Sequence, residues 1–167
     1  MINKREALID ALLSELGEED QQICRRIIED LNEFGYTPHK ENVKGLVLSF
    51  KNSGVRQTIA KIGIRVGRNR GVFYSLKFYA CENPPEKFAD AVRNAVLRSK
   101  GQYPCTDCGV CHVREGERGY RCRLPDGTEF VRCGAYVVEI PDLTLGDIDG
   151  FNRLLQEQHH YFQTHER

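Results

Sequence analysis

The chain has 167 residues, 40% of them hydrophobic, with seven cysteines and equal numbers of basic and acidic residues, 24 of each. That length predicts one medium domain with a real core. No apolar run of signal-peptide or membrane-span length is present, so a soluble cytoplasmic protein with no membrane contact is expected. In that compartment an odd, mostly clustered set of cysteines argues against a disulfide framework and for thiolate ligands plus buried thiols.

The zero net charge conceals a segregation. From Asn42 to Cys81 there are eight basic residues and no acidic one, leaving 16 basic residues to face all 24 acidic ones elsewhere. Such asymmetry concerns partners and solubility rather than fold.

Leu8, Leu12 and Leu16, flanked by Ile9 and Leu13, recur at helical spacing, and Gly17 stands where a helix C-terminus is expected. A second helix is predicted from about Glu18 through Ile23, Ile27, Ile28 and Leu31 to Phe34, stopping at Gly35. The two form a helical hairpin, and Cys24 beside the second stripe reads as a buried, inert thiol.

From Gly45 the period becomes two, with strands predicted at about 45–51, 57–66 and 72–80. Alternation places Leu46, Leu48, Phe50, Ala60, Ile62, Ile64, Val66, Val72, Tyr74, Leu76 and Phe78 on the core side. The opposite face then carries Lys51, Lys61, Gly63, Arg65, Phe73, Ser75, Lys77 and Tyr79. A basic sheet face with two aromatics suits a small anionic or aromatic ligand, with solvated lysines and arginines as the plain alternative.

Asn83-Pro84-Pro85 opens a third helix, in which Phe88, Val92 and Val96 recur at intervals of four and which ends before Gly101. After it come Cys105, Cys108 and Cys111 with His112, then Cys122, then Cys133-Gly134: six soft-metal ligand types within 29 residues. A hairpin is predicted from Tyr120 to Leu124 and Thr128 to Ala135 around Pro125-Asp126-Gly127, its second strand continuing to Ile140. Thr144-Leu-Gly-Asp147 resembles a cap for a last helix with Phe151, Leu154, Leu155 and Phe162 inward. The sum is an α+β fold over 1–167: a helical hairpin (1–40), an antiparallel sheet with a helix (43–100), a zinc-knuckle-type insertion with a hairpin (101–140) and a C-terminal helix (141–167).

Cys-x-x-Cys-Gly suits a metal knuckle because its tight turn aims backbone N–H groups at the thiolates. Cys105 and Cys108 form the first pair; the remaining ligands must come from Cys111, His112, Cys122 and Cys133. A three-residue hairpin loop sets Leu124 opposite Thr128, hence Cys122 opposite Phe130 and Cys133 opposite Gly119, on opposite faces. The expected set is therefore Cys105, Cys108, Cys111 and Cys133, with Cys122 and His112 as substitutes. Four thiolates around zinc close the tetrahedron and leave no place for a catalytic water. The same Cys-x-x-Cys-x-x-Cys spacing with a remote cysteine also suits a [4Fe–4S] cluster, although the nearby Cys-Pro of the ferredoxin pattern is missing.

Catalytic readings are weaker. Cys108 or Cys111 beside His112 makes a poor nucleophile–base pair, because neighbouring side chains diverge. His159-His160 reads as the solvated end of the last helix. No glycine-rich phosphate loop, serine elbow or carboxylate pair stands out.

The stretch from about Ile59 to Phe162, with Leu76-Lys-Phe-Tyr-Ala80, Cys105-x-x-Cys108-x-x-Cys111, Arg132-Cys-Gly-Ala-Tyr136, Ile140-Pro-Asp-Leu143 and Glu157-Gln-His-His-Tyr-Phe162, resembles a group of uncharacterised bacterial proteins built around such a cysteine cluster. That resemblance implies the metal site and no activity. The expectation is a non-enzymatic, zinc-stabilised binding module with Lys51, Lys61, Arg65, Phe73, Lys77 and Tyr79 as its ligand surface. The alternatives are an iron–sulfur or thiol redox protein, and a nucleic-acid binder using Phe73 and Tyr79 to stack bases.

Overall fold

A computed structural model describes residues 3–106, 108–111 and 118–165. Among them the chain forms α1 (Lys4–Ser14) and α2 (Glu18–Glu33), then strands β1 (Thr37–Lys40), β2 (Val47–Asn52), β3 (Gln57–Arg65) and β4 (Gly71–Leu76). Helix α3 (Glu86–Arg98) precedes β5 (Gly119–Arg123), β6 (Glu129–Cys133) and β7 (Val138–Glu139), and a 3₁₀ turn (Leu145–Asp147) leads into α4 (Ile148–His165). The α+β fold with an N-terminal helical pair and an antiparallel sheet is the one predicted.

Asn3 opens α1 through a reciprocal capping box, its side chain accepting from Arg5 N–H and its own N–H donating to Glu6. Gly17, expected to close α1, instead opens α2 in an extended conformation. The reason is that α1 finishes earlier: the N–H groups of Glu15 and Leu16 bond the carbonyls of Leu12 and Leu13. Helix α2 ends in a Schellman turn at Gly35, with Tyr36 N–H to Leu31 O and Gly35 N–H to Asn32 O, both 2.9 Å. Tyr36 and Leu31, the apolar pair of that motif, are both fully buried.

The main sheet has the order β1-β2-β3-β4-β7, every pair antiparallel, and β5-β6 stand apart as a hairpin. Strand β1 was not legible: four residues containing Pro38 show no period, and only pairing with β2 makes them a strand. Strand β3 ends at Arg65, so Val66, expected in the core, is 51% exposed. Strand β4 ends at Leu76 rather than running to 80, because Phe78 turns into the core edge-on to Phe88 and Tyr120. The run after Ala135 does not continue the hairpin: β7 pairs with β4 in the main sheet.

One cluster joins the helices to the sheet. Ile23, Ile27 and Leu31 of α2, Phe88 of α3 and Phe151, Leu154, Leu155 and Phe162 of α4 pack with Leu48, Phe50, Ala60, Ile62, Tyr74 and Leu76. Each buried Leu, Ile or Phe among them contributes roughly 1.5–3 kcal/mol. Thr144 and Asp147 make the cap expected ahead of α4, Asp147 Oδ2 accepting from Thr144 N–H and from Lys87 Nζ. Burial works to raise the Asp147 pKa, but Lys87 and Thr144 hold it below the usual carboxylate range.

Helix α3 closes with Lys100 in the left-handed region at φ +52, Lys100 N–H bonding Leu97 O and Gly101 N–H bonding Val96 O. A side chain with a Cβ is strained there, so Lys100→Gly is expected to raise stability by about 0.5–1 kcal/mol. Urea unfolding at unchanged slope checks it; a lower midpoint would contradict the assignment.

Candidate metal centre and polar sheet face

The hairpin register is the one its loop length dictates: Cys122 pairs with Phe130 and Cys133 with Gly119, while Leu124 N–H bonds Thr128 O at 2.8 Å. Cys122 lies on the face that buries Tyr120, packs against the main core, and has its thiol pKa raised by that burial.

On the outer edge of β6 runs the segment that carries the first knuckle cysteine. Pro104 bridges Arg132, Cys105 N–H donates to Val131 O and Cys133 N–H to Tyr103 O, both 2.8 Å. Residues 103–105 thus lie along β6 through one isolated bridge, with Tyr103 itself left-handed at φ +62. Cys105 therefore lies beside Val131, and Cys133 beside Tyr103 and Gly119, with Cys105 and Cys133 both next to Gly119. A Cβ on Gly119 would collide with Val131 and stand 3.1 Å from Cys105 Cβ, so Cys105 and Cys133 both border Gly119 at a closely packed spot that only glycine fits. Cys105 is buried, Cys111 and Cys133 half-buried and Cys108 exposed, and Gly109 after Cys108 is left-handed at φ +70, as a knuckle turn requires.

Among the described residues no three Cys, His, Asp or Glu side chains come close enough together to hold a metal ion. Cys105 and Cys133 both border Gly119, whereas Cys108 and Cys111 stand on the loop beyond, and His112 lies outside the described residues. As a donor set the four cysteines fit zinc: soft thiolates and a left-handed glycine in the knuckle.

The face of the main sheet away from the helices carries a polar row through all five strands: His39, Ser49, Lys61, Ser75 and Glu139 are successive cross-strand partners. Of the residues predicted to make a basic ligand surface, Lys51, Lys61, Arg65 and Phe73 are on this face, but two of the cations are neutralised there. Lys61 Nζ is 3.7 Å from Glu41, and Arg65 pairs with Glu139. Glu41 is held below the usual carboxylate range first by a hydrogen bond from Ser49, then by Lys61 and Lys51. Sequence reasoning missed both carboxylates because Glu41 lies just before the acid-free block and Glu139 far after it, and only sheet order brings them onto it.

Phe73 lies down in the notch over Gly63, where any Cβ would come within 2.8 Å of its ring. Arg65 crosses above it, its guanidinium 5.2 Å from the ring centroid. The placement of Lys77 and Tyr79 on this face is corrected. Beyond Leu76 the chain turns inward, leaving Lys77 6% exposed, bonded to Gln57 and 6.0 Å from the centroid of Phe162. Tyr79 packs edge-on to Tyr120, Tyr161 and Phe162. Neither predicted stacking platform is therefore open: one is covered by Arg65 and the other is packed among tyrosines and Phe162.

His159 is also corrected. Helix α4 turns it inward, 8% exposed, with Nδ1 at 2.9 Å from the Tyr36 hydroxyl; only His160 is exposed. Burial, then the neighbouring His160, lower its pKa below 6.5. The unfolded chain therefore takes up a proton near pH 6.5 that the folded protein refuses until lower pH. Acidification through that window should lower the thermal midpoint, and His159→Gln should flatten the slope between pH 7.5 and 5.5; an unchanged slope would rule His159 out as its source.

No helix among the described residues is long and apolar enough to cross a membrane. Compared with protein-family models, curated proteins and solved structures, the chain gave no match.

Proposed function

We propose that the protein is a non-enzymatic binding module, stapled by one zinc ion on Cys105, Cys108, Cys111 and Cys133. The observation carrying this reading is the placement of Cys105 and Cys133 beside Gly119, with Cys122 on the other side of the hairpin. A metal there ties the loop after α3 to the end of β6, the longest excursion of the chain from its main sheet. The sphere is closed by four thiolates, so the ion serves structure and not hydrolysis. The two cysteines outside the cluster support the same view: burial raises the thiol pKa of Cys24 and of Cys81 to about 12, as expected of inert thiols. The spacing Cys105-x-x-Cys108-x-x-Cys111 with Arg132-Cys-Gly-Ala-Tyr136 is also our ground for proposing kinship with the bacterial cysteine-cluster group.

Elemental analysis of the purified chain tests the reading. One zinc per chain, lost together with stability on chelation, is expected. Metal-free protein with unchanged stability would refute it. Iron with visible absorbance that bleaches in air would replace the zinc staple with an iron–sulfur centre on the same cysteines.

A further inference from the structure

The positive charge cancelled on the sheet face persists at its β1 end. Between the start of α1, strand β1 and the β2–β3 turn lies a cleft of about 650 Å³, its wall including Arg5, Thr37, His39, Lys51, Arg56 and Gln57. Its lining includes two arginines, one lysine and one histidine, and no Asp or Glu. Among the described residues none of Arg5, Lys51 and Arg56 has a carboxylate oxygen within 4.0 Å. Glu41 feels the charge of Lys51, but Ser49 and Lys61 already engage it. Behind the wall, buried Lys77 donates to Gln57 Oε1 at 3.4 Å and adds a further positive charge.

Two more observations bear on what the cleft is for. Arg56 sits in the left-handed region at φ +55, where glycine is the ordinary residue, so a long cation stands at a position that disfavours a side chain. Like charges gathered without counter-charge repel one another, and a bound anion removes that cost. The cavity has small-molecule size. The chain outside the acid-free block carries an excess of acidic residues, which disfavours a long polyanion running across the surface. Guanidinium forks and an ammonium point together are the ordinary recognition set for a phosphoryl group.

We propose that this cleft binds the phosphoryl group of a small phosphorylated molecule, with Arg56, Lys51 and Arg5 as its charge partners. This deepens the binding-module reading by naming a ligand class, and it does not depend on the cysteines. Inorganic pyrophosphate is the probe, titrated calorimetrically into the full chain at physiological salt, with zinc content measured on the same sample so that failure of the staple and failure of the cleft are read separately. One saturable site is expected. Arg56→Gly should weaken it by about tenfold, the loss of one charge-assisted contact, without lowering the thermal midpoint. Lys61→Ala, which disturbs a cation already paired with Glu41, should leave binding unchanged. Absence of pyrophosphate binding, or equal affinity in the Arg56→Gly protein, overturns the proposal. So does a single-stranded oligonucleotide that binds more tightly than pyrophosphate and is weakened equally by both variants, which would mean an extended nucleic-acid surface instead.

Discussion

Replacing Gly134 with alanine should destabilise the protein by about 3 kcal/mol or more, at the upper end of what overpacking costs. The glycine donates its N–H to Arg118 O at 2.8 Å, and an added Cβ would fall on that same carbonyl oxygen and 2.5 Å from the Tyr79 ring. Neither obstacle is the free end of a flexible chain. The carbonyl is backbone fixed by its hydrogen bond, and Tyr79 is confined by Tyr120, Tyr161 and Phe162. Moving either pulls the hairpin off α4. Gly17→Ala is the control: nothing lies within 4 Å of its Cβ position and its φ is −68°, so only the modest cost of alanine at a helix N-cap, about 1 kcal/mol or less, is expected. Chemical denaturation of both variants measures the contrast, and similar midpoints would mean that the approach of Tyr79 to Gly134 is wrong.

Cys133→Ser should remove the metal and with it about 4 kcal/mol or more, the stabilisation supplied by a ligand present at a thousand times its Kd. Cys122→Ser should keep the full metal complement and lose only the modest contribution of a half-buried thiol, about 1 kcal/mol. The two cysteines flank the same loop and differ chiefly in the face to which the register consigns them: Cys133 with Gly119, Cys122 with Phe130. Metal content by elemental analysis, paired with thermal unfolding with and without a chelator, reads the outcome. Should the Cys122 variant emerge metal-free while the Cys133 variant keeps its metal, the ligand set proposed above is wrong.

What was legible in the sequence was periodic. The helices α2, α3 and α4, the centres of β2, β3 and β4 and the register of the hairpin follow from apolar spacing and loop length, because in those stretches burial on one face sets the pattern. What was not legible depended on partners distant in sequence. Thr37–Lys40 becomes a strand only against β2, and Glu41 and Glu139 neutralise Lys61 and Arg65 only because β1, β2, β3, β4 and β7 are neighbours in that order. Lys77 and Tyr79 continue the alternation of β4 on paper, yet Phe78 between them is drawn into the aromatic cluster and the strand ends before they are reached. His159 looked solvated beside His160, but a helix turns consecutive residues through about 100°, and one of the two faced Tyr36.

Residues 103–105 are fastened to β6 by the hydrogen bonds of Cys105 and Cys133, and β5 and β6 belong to a sheet of their own. Tyr120 holds the hairpin itself in the main core, so the segment 103–105, held by those two bonds, opens more easily than the hairpin does. An ion held by those cysteines would then exchange with its surroundings through a local event, at a rate set by that short attachment rather than by the lifetime of the folded protein.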